Sequence, residues 1–302
     1  MISREFVKRI LPGKFLAFAR KMIYPEKISI IEDKLDSLFK TYYQNIAASD
    51  FDQKTAVKNA EFKVFSKNGG DGILLYIFSK VGVTNRTFVE MGVEDGRECN
   101  TANLSLNFGW KGLLIDANKE WIENAKRFYK EKLGKMSGNI KTAARFVTAE
   151  NINQLLEDNG FGGEIDLLSI DIDGNDYWVW KTIDVIRPRV VVAEYNASFG
   201  LRPITVKYDP NFHCQEVFRK NPLYHGASLS ALVKLGDAKG YVLVGCDSWG
   251  HDAFFARKDI VEGKFIGLSA EEAFYPQPQR LKVIGSAEKQ FEKIEHLDFD
   301  RV

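Results

Sequence analysis

The chain has 302 residues, of which 45% are hydrophobic and 27% are charged. This length predicts one large domain or two small ones, and the composition excludes a disordered chain, a collagen-like repeat and a disulfide-dense secreted module. Lysine and arginine total 42 against 41 aspartate and glutamate residues, so the net charge is +1 and no bulk field draws the protein to nucleic acid.

The first 27 residues are strongly basic, with seven basic and two acidic residues. Apolar residues are interleaved with them, and this pattern has two interpretations. One is an amphipathic helix that makes peripheral contact with an anionic membrane. The other is a helix packed on the core or on a second subunit, which is favoured because Pro12-Gly13 interrupts the helix. No apolar run is long enough for a membrane span, and we expect no signal peptide.

Residues 28–48 carry apolar side chains at helical spacing, including Ile31, Leu35, Leu38 and Ile46. The segment is too short for a coiled coil. We expect residues 1–64 to form a helical extension that packs against the main domain or mediates a homodimer.

From about residue 69 the pattern changes to strands alternating with amphipathic helices, such as Trp121–Leu133 and Ile152–Asp158. This alternation predicts a doubly wound, mostly parallel sheet. The predicted strands are Thr87–Met91, Gly112–Asp116, Arg145–Thr148, Ile165–Asp171, Arg189–Glu194, Tyr241–Gly245 and Ala253–Ala256. The gap between the last two is too short for a crossover helix, so this pair is antiparallel. We assign the main domain to residues 65–265 and a tail that packs on it to 266–302.

The first predicted strand runs into a glycine turn that ends at Arg97. Gly92 and Gly96 allow close backbone approach to a ligand, and the turn opens a helix near residues 98–106 whose N-terminal amides favour an anionic group. Asp116 ends the next strand, 26 residues after Glu90, where a carboxylate can accept both hydroxyls of a ribose. These residues predict a nucleoside site, and the alternative is an ordinary strand–turn–helix with an exposed aspartate.

The charges of the turn indicate which nucleoside it binds. Glu90, Glu94 and Asp95 would repel the pyrophosphate of NAD, and the dinucleotide glycine pattern is absent. The three acidic side chains suit S-adenosylmethionine, which has a cationic centre. Ala149 and Glu150, which follow the third predicted strand, are expected to line the adenine.

Carboxylates crowd the ends of the two central strands. Asp171 and Asp173 end one strand, and Glu194 and Asn196 end the next. Asp171, Glu194 and Asn196 could supply oxygen ligands to Mg²⁺. Two alternatives stay open: the segment after Asp171 is a turn and a helix cap, or Asp171 touches the donor's amino group without a metal.

The loop 208–228 follows the fifth predicted strand, where an acceptor would lie. His225 is the candidate base for an acceptor hydroxyl, although a loop histidine can equally be structural.

Taken together, these residues resemble class I S-adenosylmethionine-dependent methyltransferases, most closely the FkbM-like group. The likeness is carried by Phe88–Gly96, Gly112–Ala117 and Asp166–Gly174, with Val190–Asn196 and the closing hairpin in agreement. It implies a seven-stranded Rossmann-like sheet with a reversed last strand. It also implies that Glu90, Gly92 and Gly96 hold the methionine part of the donor, that Asp116 binds the ribose, and that Asp171 lies beside the donor near the acceptor.

The segment Ser66–Gly72 looks like the entry motif of this family, with Lys67 and Gly70 where relatives usually show Gln and Glu. The resemblance implies methyl transfer to an oxygen of a sugar, a glycan or a natural product. We therefore predict a cytoplasmic O-methyltransferase whose basic N-terminus can contact a membrane. The alternative is a non-catalytic adaptor on a methyltransferase scaffold, recruited to a membrane or partner by the N-terminal helices.

Overall fold

The computed structural model describes residues 41–49 and 51–302, apart from the side chains of Cys214, Gln215 and Phe218. These residues belong to two compact units that divide after Ser49. In the first unit, residues 41–48 form a helix, α1. The predicted basic helix over 1–27 and most of the predicted helix over 28–48 lie outside the described residues.

The second unit alternates strands and helices along most of its length. Its strands are β1 Thr87–Met91, β2 Lys111–Asp116, β3 Ile140–Ala144, β4 Gly163–Ile170, β5 Ile186–Glu194, β6 Ile204–Val206, β7 Tyr241–Cys246, β8 Asp252–Arg257 and β9 Phe299–Arg301. Its helices are α2 Ala56–Asn59, α3 Gly70–Val81, α4 Ala102–Phe108, α5 Lys119–Leu133, α6 Ile152–Asp158, α7 Asp176–Thr182, α8 Cys214–Lys220, α9 Leu229–Ala238, α10 Lys258–Val261, α11 Ala270–Ala273, α12 Pro278–Val283 and α13 Ala287–Phe291.

Seven of the strands form one sheet in the order β3-β2-β1-β4-β5-β8-β7. The pairs from β3 to β5 are parallel, whereas β8 pairs antiparallel with both β5 and β7. The predicted fold class is confirmed: this is a doubly wound, mostly parallel, Rossmann-like sheet of seven strands with an antiparallel hairpin at one edge. The chain order reverses between β1 and β4, and ligands in such sheets bind beyond the carboxyl ends of the strands at that point.

Burial explains why these segments form strands. The run Val190–Ala193 in β5 is apolar at every position and at most 1% exposed, as expected for a parallel strand covered on both faces. Trp180 of α7 packs against Phe255 of β8 with ring centroids 5.0 Å apart. Helix α5 begins at Asn118, whose side chain accepts hydrogen bonds from the amides of residues 120 and 121.

The third strand differs from the sequence prediction. The prediction placed it at Arg145–Thr148, whereas β3 spans Ile140–Ala144. Strand β3 lies at the edge of the sheet and pairs with β2 alone among the described strands. An edge strand needs little apolar burial to hold its place, and here half-buried Ile140 and Ala143 provide it. Phe146 and Val147, with the higher strand propensity, follow it as loop.

The last residues of the chain return to the domain. Strand β9 pairs antiparallel with β6 in a separate two-stranded sheet. Phe299 packs edge-on against Phe199, with centroids 5.3 Å apart. Within 41–49 and 51–302, no helix is long and apolar enough to cross a membrane.

Candidate functional site

A cavity of about 600 Å³ opens beyond the carboxyl ends of β1 and β4. Its wall combines backbone of the glycine turn, side chains of the turn before α4, two side chains of α5 and the start of β8. The lining residues are Lys67, Asn68, Glu90, Gly92, Val93, Glu94, Asp95, Arg97, Glu98, Cys99, Asn100, Trp121, Asn124, Asp171, His251 and Asp252. Six of them are carboxylic acids and two are permanent cations, so the cavity favours a ligand with positive charge.

The two glycines of the turn do different things. Gly92 has φ +78°, and a Cβ there would lie 1.5 Å from the carbonyl oxygen of Asp171. Only glycine allows the two strand ends to approach this closely while leaving backbone exposed to the cavity. Gly96 also has positive φ, but a Cβ there would meet the side chain of Ala125 in α5 at 2.9 Å. It packs the turn against that helix and does not line the cavity.

Glu90 joins the end of β1 to the start of α4. Its Oε1 accepts from the amide of Asn100 at 2.9 Å, and its Oε2 accepts from the amide of Thr101 at 3.0 Å and from that residue's hydroxyl. Burial raises the pKa of Glu90 to about 7, against the lowering effect of those donors. The carboxyl therefore carries a partial negative charge on the cavity wall at neutral pH.

Asp116 is placed differently from the prediction. Its Oδ2 accepts from the amide of Glu94 at 2.9 Å, and its Oδ1 accepts from the amide of Asn118 at 2.7 Å. Both oxygens thus fix backbone, the first at a residue with φ +49° and the second at the N-cap of α5. Asp116 does not line the cavity, although each oxygen keeps a second lone pair. Ribose binding by Asp116 stays a prediction.

Ala149 and Glu150 also lie outside the cavity lining. The amide of Ala149 donates to the hydroxyl of Tyr208 at 3.2 Å, and that hydroxyl donates to Glu150. These contacts tie the loop after β3 to the loop after β6. Binding of the adenine by Ala149 and Glu150 stays a prediction.

Asp171, Glu194 and His251 meet where β4, β5 and β8 come together. The Glu194 Oε1 lies 3.1 Å from His251 Nε2, and the Asp252 Oδ1 lies 3.6 Å from His251 Nδ1. Burial raises the pKa of Glu194 well above its usual range, and Asp171 adds to that shift. Burial alone would lower the pKa of His251, but Glu194, Asp252 and Asp171 hold it well above its ordinary value.

His225 occupies a closed position behind this cluster. The guanidinium of Arg280, from α12, lies 3.0 Å from His225 Nε2, which must accept because arginine is donor-only. The Nδ1 atom lies 3.8 Å from Glu194 Oε2. Burial lowers the pKa of His225 to about 3, and Arg280 and His251 act in the same direction. A neutral, buried ring with an engaged lone pair is poorly placed to serve as the predicted base.

Asn196 does not join the predicted metal set. Its amide nitrogen donates to the carbonyls of Leu223 and His225, and its Oδ1 accepts from Arg280 at 3.0 Å and from the amide of Ser198 at 3.0 Å. An oxygen already held by a guanidinium is a poor ligand for a second cation. Asn196 holds the loop after β5 in place, and the structure gives the Mg²⁺ prediction no support.

A different trio, Asp173, Glu194 and His225, has ligand atoms within 4.8 Å of one another. Coordination through His225 Nδ1 would leave neither ring nitrogen protonated, because Nε2 accepts from Arg280. An imidazolate would be needed, so the donor set does not suit a metal while that contact holds.

Two loops at this edge are held by buried aspartates. In the turn after β4, Asp176 accepts from the amides of Ile172 at 2.8 Å and Gly174 at 2.9 Å. In the β7–β8 turn, Asp247 accepts from the amides of Trp249, His251 and Asp252. Each carboxylate bonds only amides within five residues of itself, so each loop is fixed locally.

Sequence reasoning did not assign four residues that the structure brings to this site: Lys67, Asn100, His251 and Asp252. The Asn100 side chain donates to Ser169 and to Asp252 Oδ2 at 3.2 Å. Lys67 lies 3.2 Å from Glu94, and both line the cavity. Although burial would lower the pKa of Lys67, Asp171 and Glu94 raise it.

Comparison with known proteins gives one family match. Residues 78–203 match the methyltransferase FkbM domain. The predicted resemblance to the FkbM-like methyltransferases is confirmed over these residues. No curated protein shows a significant sequence match.

Several solved structures resemble the chain distantly. The O-methyltransferase from Bacillus cereus, solved with S-adenosylhomocysteine, is 19% identical to this chain, with a TM-score of 0.38. The aligned region covers 71% of this chain and 89% of the Bacillus cereus chain. The N-terminal domain of EvdMO1, also with S-adenosylhomocysteine, is 14% identical with a TM-score of 0.41, covering 68% and 97%.

A third structure is a methyltransferase from Galdieria sulphuraria assigned to sarcosine and dimethylglycine. It is 14% identical with a TM-score of 0.40, covering 57% of this chain. The chain spans 61% of the length of that protein. The fold assignment rests on the strand order of the sheet itself.

Proposed function

We propose that this chain, which carries an FkbM methyltransferase domain, transfers the methyl group of S-adenosylmethionine to a hydroxyl oxygen of a sugar, glycan or natural product. The observation that carries the proposal is the acidic cavity at the β1/β4 strand ends, with Gly92 backbone in its wall. When bound, the donor supplies an electrophilic methyl group on a positively charged sulfur.

The residues present suit this donor. A sulfonium and an amino group carry positive charge, and the cavity offers Glu90, Glu94, Asp171 and Asp252. The donor's carboxylate needs a cation, which Lys67 presents beside Glu94. A diphosphate ligand such as NAD would face the same acidic wall and be repelled.

Methyl transfer is an in-line displacement, so the site's main task is alignment. The backbone of Gly92 and the Glu90 carboxyl are fixed by strand and helix contacts, which suits them to hold the methionine part. Asp171 faces the same cavity next to Glu194 and His251, so we place the acceptor over β4 and β5.

Calorimetric titration tests the donor site directly. We expect S-adenosylhomocysteine to bind and NAD to give no heat of binding, because their charges differ at the cavity wall. The control is Lys67→Met, which should weaken S-adenosylhomocysteine but not methylthioadenosine, since the latter lacks the carboxylate. Failure of S-adenosylhomocysteine to bind the wild-type protein would overturn the proposal.

Radiolabelled donor tests the acceptor class. We expect label to enter hydroxyl compounds and to resist mild base, because methyl ethers survive conditions that cleave methyl esters. Binding of donor without transfer to any fraction of a cell extract would favour the adaptor alternative. The proposed membrane contact concerns residues 1–27 and would be tested by liposome pelleting of a chain that lacks them.

A further inference from the structure

We propose that His251 is the base that takes the proton of the acceptor hydroxyl, that Glu194 positions its ring, and that donor binding makes the ring available as a base. This inference rests on the proposed methyl transfer and names a residue outside the matched FkbM domain.

The position of His251 follows from the reversed hairpin. It is the last residue before β8, and because β8 runs antiparallel to β5, Asp252 pairs with Glu194 at the carboxyl edge of the sheet. The carbonyl of His251 accepts from the amide of Tyr195 at 2.8 Å, and its amide donates to Asp247 at 3.0 Å. The backbone is thus held on both sides, and the side chain reaches the cavity wall beside Asp171.

The two ring nitrogens have different surroundings. Nε2 lies within hydrogen-bond distance of Glu194 Oε1, at 3.1 Å, whereas Nδ1 lies 3.6 Å from Asp252 Oδ1. Glu194 is buried at the end of β5, and His251 favours its ionised form against the raising effect of burial. As a carboxylate it accepts from Nε2, which orients the ring and keeps a proton on that nitrogen. Nδ1 is then the nitrogen that can accept a proton, and Asp252 is placed to stabilise the imidazolium that results.

His251 suits this role better than His225. The His251 side chain is 23% exposed and the His225 side chain 3%. His225 Nε2 already accepts from Arg280, so protonation there would break a contact and place two cations together.

Charge couples the base to the donor. Several titratable groups surround the ring. Asp171 and Asp173 lie at the end of β4, Glu194 lies at the end of β5, Asp247 and Asp252 belong to its own hairpin, and His225 lies beside Arg280. Because carboxyl groups outnumber cations around the ring, they hold the pKa of His251 above its ordinary value, which favours the imidazolium in the free enzyme. A cationic donor in the same cavity repels that proton, which leaves to solvent, and Nδ1 becomes able to accept one.

The step balances. The acceptor oxygen loses its proton to Nδ1 as its electron pair forms the new bond to the methyl carbon. The pair of the broken carbon–sulfur bond stays on sulfur, which becomes a neutral thioether.

Proton release on ligand binding tests the coupling without an acceptor. Calorimetric titrations in two buffers of different ionisation enthalpy measure how many protons the protein releases when a ligand binds. The two ligands are sinefungin, a donor analogue with a cationic amine at the methyl position, and S-adenosylhomocysteine, whose sulfur is neutral. We expect wild type to release more protons with sinefungin, and His251→Gln to lose that difference. An unchanged difference in His251→Gln and in His251→Asn would overturn the inference.

Methyl transfer gives the second measurement, with exposed His296→Gln as the matched control. We expect His251→Gln to lower kcat by about 10²–10⁴-fold with the affinity for neutral S-adenosylhomocysteine nearly unchanged. Glu194→Gln should shift the pH profile of kcat, which loss of packing alone would not do. Full kcat in His251→Gln refutes the base, while absence of donor binding or transfer in wild type refutes the proposed function instead.

Discussion

Replacing Gly92 with alanine probes the close approach between the glycine turn and the end of β4. The new Cβ would lie 1.5 Å from the Asp171 carbonyl oxygen, whereas real contacts of this kind do not fall below 3.0 Å. The two backbones must separate, which breaks the hydrogen bond from Asp171 N to Met91 O between them. The displaced turn also loses its bond from Gly92 N to Ile115 O of β2. With about 1 kcal/mol for each bond and 1–2 kcal/mol for a left-handed alanine, the loss is about 3–4 kcal/mol.

Gly109→Ala is the matched control. Gly109 has φ +67°, but a Cβ there would meet nothing within 4 Å, so only the conformational strain of about 1–2 kcal/mol applies. Urea denaturation of both variants measures the difference. The displaced turn forms part of the cavity wall, so the affinity for S-adenosylhomocysteine should fall roughly 30-fold or more in Gly92→Ala, which is equivalent to about 2 kcal/mol. The affinity should stay unchanged in Gly109→Ala. Equal losses of stability in the two variants, or unchanged affinity in Gly92→Ala, would show that the close approach is not what the turn depends on.

Three further substitutions or treatments test the site. Between pH 4.5 and 7 the unfolded chain gives up the Glu90 proton while the folded protein largely keeps it, because the folded pKa is about 7. The free energy of unfolding of the wild type should therefore fall by as much as about 3 kcal/mol across that range. Urea denaturation of Glu90→Gln at both pH limits should show a smaller fall. Asp116→Asn would turn an amide NH₂ toward the backbone N–H of Glu94 or of Asn118, so one donor loses its acceptor. The free energy of unfolding should fall by about 1–3 kcal/mol. An unchanged free energy of unfolding would show that the carboxylate serves only a ligand. EDTA and added Mg²⁺ should leave the transfer rate unchanged, because Asn196 is engaged by Arg280, and a rate restored by Mg²⁺ would contradict this.

The sequence predicted the fold because its strongest patterns have one physical meaning. Apolar runs such as Val190–Ala193 need cover on both faces, and six predicted strands coincide with observed ones to within a few residues. The short gap before Asp252 left no room for a crossover, and the hairpin is antiparallel as predicted. The third strand was misplaced because an edge strand needs few apolar residues, and Ile140–Ala144 has few.

The site was harder to predict because a carboxylate at a strand end can bind either a ligand or a backbone amide. Asp116 and Asn196 have the right positions, yet amides and a guanidinium occupy their oxygens. His251 was missed, although the hairpin topology contained the signal: a reversed strand begins at the edge where the parallel strands end. Searching the β7–β8 gap for titratable residues would have found it.

The locally fixed β7–β8 turn has a consequence for how much sequence change its tip can tolerate. Asp247 holds the backbone amides of Trp249, His251 and Asp252, and Gly250 is confined by the carbonyl of Tyr275, so the path of the chain does not depend on the side chain at position 249. Trp249 stands 47% exposed between these fixed points. Variation at this one position would leave His251 in register, so the tip of the turn can accept sequence change without disturbing the site.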